Sequence, residues 1–108
     1  MDFAMSKKFD GNCWQVQLTG EVDIFSSEEL RTQMIQLMGE SQADIAIDCK
    51  DLMYIDSTGL GALVGVLKHS KSLGKGVKLY NVKPNIMKLL SITKLDEAFV
   101  VKGGESGE

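Results

Sequence analysis

The chain has 108 residues, of which 44% are hydrophobic and 25% charged, and 12 basic against 15 acidic side chains leave a formal net charge of −3. That size and mix fit one globular domain, expected over residues 1–102, with residues 103–108 as a flexible, Gly-rich tail. The acidic balance argues against a nucleic-acid partner, because phosphate contacts need a basic surplus, and the apolar content argues against disorder.

Along the chain, Phe3 and Met5 alternate with polar residues, and so do Trp14, Val16 and Leu18. Asp10-Gly11 between these runs predicts a β-hairpin with one buried face. Ser26 to Met38 reads as a helix: Ser26 with Glu29 forms a capping box, Phe25 and Leu30 a hydrophobic staple, and Leu30, Met34, Leu37 and Met38 one apolar face. Ile45 to Ile47 reads as a short strand. A second helix follows Asp56, with Leu60, Leu63, Val64 and Leu67 on one side, ending near Leu73-Gly74. Its glycines Gly59, Gly61 and Gly65 predict close approach of another backbone. Lys68, Lys71 and Lys75 suit its negative end.

Val77, Leu79 and Val82 predict a further strand, Pro84 opens a third helix, and Ala98 to Val101 form the last strand. The order β-β-α-β-α-β-α-β defines an α/β domain: a mixed, mostly parallel sheet with crossover helices and an antiparallel first strand. Sites on such sheets lie beyond the strands' carboxyl ends. Asp23 and Ser57 each follow a strand and precede a helix, so both belong at that edge.

Catalytic chemistry finds few candidates. His69 is the single histidine, placed far along the second helix from Ser57, and reads as a surface residue. No GxSxG elbow, P-loop or GxGxxG spacing is present. Cys13 and Cys49 have no CxxC or metal-ligand spacing and read as small buried hydrophobes. No metal or cofactor is expected. The longest apolar run falls far short of the ~20 residues that span a bilayer, and no leader is visible, so a cytoplasmic protein without membrane contact is expected. Ser57 remains. Either it or Asp56 can cap the second helix, and in both cases its hydroxyl sits at the positive helix end, where a phosphate is tolerated or favoured by roughly 0.3–1 kcal/mol.

Asp56-Ser57-Thr58-Gly59-Leu60-Gly61, preceded by Asp51-Leu52-Met53-Tyr54-Ile55, resembles the signature of STAS domains that act as anti-sigma factor antagonists. Leu18-Thr19-Gly20-Glu21-Val22-Asp23 matches their second motif, and the form of both is most like the general-stress branch. The resemblance implies a partner switch. The dephosphorylated antagonist binds an anti-sigma factor that is also a serine kinase and frees a sigma factor; phosphorylation of Ser57, with Thr58 as runner-up, ends the binding; a PP2C-type phosphatase reverses it. Asp23, Asp56, Ser57, Thr58, Gly59, Leu60 and Gly61 would form the docking segment, on a chain that is a monomer when free. Asp23 would either present Ser57 or simply cap its own loop. The short tail departs from members with a longer C-terminal helix, so no partner contact is expected from it. A STAS scaffold without switching and a nucleotide-binding regulatory module remain open alternatives.

Overall fold

The computed structural model describes residues 2–103. Strands β1 (Ala4–Phe9) and β2 (Cys13–Val22) form the expected antiparallel hairpin, with Phe9 opposite Trp14. Asp10 sets its turn by accepting backbone N–H bonds from Asn12 (2.9 Å) and Cys13 (2.8 Å), and those bonds draw its carboxyl below the ordinary value. Then follow α1 (Ser27–Glu40), β3 (Asp44–Ile55), α2 (Ser57–Ser72), β4 (Val77–Val82), α3 (Pro84–Ile92) and β5 (Val100–Gly103).

The five strands lie in sequence order, β1 antiparallel to β2 and every later pair parallel. Each crossover steps the same way across the sheet. Right-handed crossovers therefore place all three helices on one face. The core fills the space between: Trp14, Val16 and Leu18 of β2, Ile45 and Ile47 of β3, and Leu79 of β4 are buried against Leu30, Met34 and Leu37 of α1, Leu63 and Val66 of α2, and Leu90 of α3. Their alternating neighbours Gln15, Gln17 and Lys78 fall on the other, helix-free face.

Three elements differ from expectation. β3 runs well past Ile47 to Ile55. Its pairing with β4 stops at Asp48, while pairing with β2 continues through two register shifts. Buried residues beyond that point come at Cys49, Leu52 and Ile55, a spacing of three that hides a strand from the period-two test. β5 starts at Val100 rather than Ala98, because Ala98 N–H and Phe99 N–H both donate to the carbonyl of Leu95 and hold the chain in a turn. Gly103 closes that strand, and residues 104–108 of the expected tail lie outside the described residues. The third difference, at the start of α1, belongs to the site below. Among the described residues no helix is long and apolar enough to cross a membrane.

Among the described residues one buried side-chain polar group is left without a partner. Ser70, on the core side of α2, is fully buried and its hydroxyl makes no hydrogen bond among the described residues. An unsatisfied buried hydroxyl costs roughly 1–3 kcal/mol, and Ala is the better helix former. Ser70→Ala is expected to stabilise the domain by about 1 kcal/mol and to raise its melting temperature by about 4–8 °C in a thermal scan.

Candidate functional site

Val22 of β2 pairs with Ile55 of β3, so the carboxyl ends of these two central strands finish side by side. The loop from Asp23 and the start of α2 therefore share one edge of the sheet, as their positions in the sequence predict. A backbone hydrogen bond from Asp56 N–H to the Val22 carbonyl (3.2 Å) ties the two together.

Asp56 is the cap of α2. Its backbone is extended, and its Oδ1 accepts from Gly59 N–H at 2.9 Å. Ser57 is thereby the first residue of the helix, followed by Thr58. Both are exposed, and neither side chain makes a hydrogen bond among the described residues. The capping work falls to the carboxylate, which leaves the serine hydroxyl free at the positive end of a 16-residue helix.

Gly59 explains how α2 sits so close to β2. A Cβ at this position would come within 2.5 Å of the Val22 carbonyl oxygen, 2.7 Å of Ile55 Cγ1 and 2.8 Å of Val22 Cγ1. The other two glycines of the helix have no such neighbours: a Cβ on Gly61 meets nothing within 4 Å, and the nearest atom to one on Gly65 is in the flexible Arg31 side chain, at 3.4 Å. The expected backbone approach thus holds at Gly59 alone. Gly59 and Leu60, grouped with the docking segment from the sequence, are both buried. They seat the helix, while Ser57, Thr58 and Gly61 face outward.

Across the edge, the start of α1 is built differently from the expected capping box. Ser26 stands at the cap position, but its side chain does not cap the helix. Its Oγ accepts from Asp23 N–H (3.0 Å) and donates to the Glu21 carbonyl (2.9 Å). Asp23 Oδ1 accepts from the N–H groups of Phe25 (2.9 Å) and Ser26 (3.2 Å). An acid three residues ahead of Ser26 supplies the better acceptor, so the serine turns back toward β2. Glu29, the other half of the expected box, instead accepts from Gln33 Nε2 at 2.9 Å. The staple also fails: Phe25 is 91% exposed, and Leu30 is buried without it. Asp23 is half-buried, and its side-chain bonds stay within its own loop.

The histidine and the two cysteines add no covalent chemistry to this edge. His69 lies twelve positions beyond Ser57 on α2, roughly 18 Å of helix rise away. Burial pushes the Cys49 thiol up to about 12, and burial followed by the charge of Asp10 raises that of Cys13, so neither is an activated thiolate. Among the described residues no group of three His, Cys, Asp or Glu could hold a metal ion. A shallow cleft of about 590 Å³ lies on the helix-free face, lined in part by Cys13, Asp44, Gly76, Lys78 and Tyr80. It opens near the start of β4, away from Ser57.

The edge thus carries an outward serine at a carboxylate-capped helix start, at the carboxyl ends of the central parallel strands. A STAS-domain family model matches residues 4–105. Over 107 residues the chain is 36% identical to the anti-sigma-B factor antagonist of Bacillus subtilis, covering 99% of this chain and 97% of that relative. The chain belongs to the STAS domain family, among its anti-sigma factor antagonists, which are not enzymes. Two solved structures share the fold. An anti-sigma factor antagonist from Mycobacterium paratuberculosis superposes with a TM-score of 0.79 at 19% identity, covering 98% of this chain and 90% of that one. Bacillus SpoIIAA in its phosphorylated form superposes with a TM-score of 0.72 at 19% identity, covering 96% of this chain and 95% of that one.

Proposed function

We propose that this chain is a phosphorylation-switched anti-sigma factor antagonist acting in the cytoplasm as a free monomer. In its unmodified form it binds an anti-sigma factor that is also a serine kinase, and a sigma factor is thereby freed. The kinase transfers the terminal phosphoryl group of ATP to Ser57 Oγ, the hydroxyl losing its proton and ADP leaving, and the complex parts. A PP2C-type phosphatase hydrolyses the phosphoserine and restores the binding form. Docking involves the segment from Asp56 to Gly61 together with Asp23, with Gly59 and Leu60 acting from beneath.

The observation that carries this reading is the free hydroxyl of Ser57. Asp56 caps α2 and Gly59 seats it, so among the described residues the fold makes no use of Ser57 Oγ. A kinase can modify that oxygen without breaking any bond that holds the domain. Thr58 is exposed as well and is the second candidate acceptor.

Intact-mass spectrometry after incubation with the cognate kinase and ATP tests the assignment. The wild-type chain and Thr58→Val are expected to gain one phosphoryl group each, and Ser57→Ala none. Full phosphorylation of Ser57→Ala would refute Ser57 as the acceptor.

A further inference from the structure

Six large apolar side chains are left exposed among the described residues: Phe9, Ile24, Phe25, Met53, Tyr54 and Ile92. Their placement is uneven. Phe9 ends β1 beside the hairpin turn, and Ile92 ends α3. The other four bracket Ser57, with Ile24 and Phe25 in the loop after β2 and Met53 and Tyr54 just ahead of the Asp56 cap. Ile24 is 67% and Phe25 91% exposed, so the fold draws almost nothing from Phe25. Exposed apolar side chains gathered on one side of a small domain mark an interaction surface.

The loop that carries the first pair is held in place. Asp23 Oδ1 takes the N–H groups of Phe25 and Ser26, Ser26 Oγ bonds the Glu21 carbonyl, and the Ser27 N–H donates to the Asp23 carbonyl at 2.8 Å. Side chains displayed from a fixed loop lose little freedom on docking, and this is how an anchor residue gains affinity. Reach is also sufficient. Ile24 lies two residues from Val22, whose carbonyl is bonded to Asp56 N–H. With Cα steps of about 3.8 Å, Ile24 and Phe25 lie within roughly 22 Å of Ser57. A standard protein interface covers about 800 Å² per partner, a disc roughly 32 Å across.

We infer that Ile24 and Phe25 are the apolar anchors of the partner-docking face, entering an apolar socket on the anti-sigma factor whose grip Ser57 controls. The occupant follows from continuity: a partner that feels a phosphate on Ser57 covers Ser57, and a footprint roughly 32 Å across is wide enough to hold both Ser57 and this loop. Met53 and Tyr54, also exposed, stand just ahead of Asp56 at the end of β3. The inference rests on the Ser57 reading for its choice of partner. It divides the labour at the site: the loop supplies affinity, and the helix start supplies the release signal.

Binding of the unmodified full chain to the anti-sigma factor of the same genome, measured by calorimetry, tests this. The paired variant Ile24→Ser with Phe25→Ser is expected to bind at least about 100-fold more weakly. Its amide NMR spectrum should stay native outside the loop, and Ile92→Ser should bind within threefold of wild type. The paired variant should still accept one phosphoryl group at saturating kinase, with KM raised and kcat kept. Binding of the paired variant within threefold of wild type would overturn the inference. The Ser57 reading fails by a separate sign, the absence of phosphate on the wild-type chain in the same mass measurement.

Discussion

Gly59→Ala is expected to unseat α2 and to cost the domain about 2–3 kcal/mol, a fall in melting temperature on the order of 10–20 °C. The added methyl would lie 2.5 Å from the Val22 carbonyl oxygen and under 3 Å from two side-chain carbons. That carbonyl cannot simply move aside, because it accepts the Asp56 N–H. Relief requires either loss of that bond, worth about 1 kcal/mol, or a shift of the helix start away from β2. The gain in helix propensity from Gly to Ala, about 1 kcal/mol, offsets only part of this. Gly61→Ala provides the matched control. Its methyl meets nothing within 4 Å, so the propensity gain stands alone and the domain should be stabilised by up to about 1 kcal/mol. Thermal unfolding of both variants checks the contrast. Equal melting temperatures would mean that Gly59 does not seat the helix.

These two glycines also show where reading the residues stops. Both stand in the first turns of a helix, and composition gives them equal standing. Only the packing of α2 on β2 separates a glycine that must be small from one that need not be. The same limit appears at the cap. Asp and Ser are comparable cap residues, so Asp56-Ser57 leaves the helix start uncertain by one position. The extended backbone of Asp56 and its bond to Gly59 decide it, and that single position sets whether Ser57 is a structural cap or a free hydroxyl.

Much of the architecture was nonetheless legible. Asp10-Gly11 between two alternating runs is a local signal, and the hairpin forms where it says. The alternation of strands and helices predicts a mostly parallel sheet with crossover helices, and the position of Asp23 and Ser57 between strand and helix places both at one edge. Non-local competition was less visible. Ser26 with Glu29 fits the capping pattern, yet Asp23 and the Glu21 carbonyl take the serine's bonds. Phe25 ahead of an apolar helix position fits a staple, but hydrophobicity alone does not say whether a side chain turns inward or is left for a partner. In β3 the register shifts against β2 remove the alternation that identifies a strand.

Ser57→Asp, or the phosphorylated chain itself, is expected to lose partner binding by on the order of 100-fold while the domain keeps its stability to within about 1 kcal/mol. The two halves of this prediction have different physical origins. Within the fold, the new anion sits at the start of α2, beside the N–H groups of Ser57 and Thr58 that the helix leaves unpaired, where the dipole favours negative charge. It breaks no existing bond among the described residues, because Ser57 Oγ makes none there. At the proposed interface, the anion would take the place of a small neutral hydroxyl against the partner. One like-charge pair at ~5 Å with an effective dielectric near 20 costs roughly 3 kcal/mol, and that corresponds to on the order of 100-fold in affinity. Asp23 and Asp56 already make this edge acidic, so the added charge deepens a negative field rather than neutralising a positive one. Ser57→Ala adds neither charge nor bulk and should bind as tightly as the unmodified chain. Because screening weakens exposed charge pairs, the loss for Ser57→Asp should shrink as salt rises from ~0.05 to ~0.5 M. Calorimetric titration of the three forms at both salt levels, alongside thermal unfolding, separates the terms. A weakened complex with a strongly lowered melting temperature would place the switch in the fold instead of the interface, and unchanged affinity of the phosphorylated chain would remove the switch altogether.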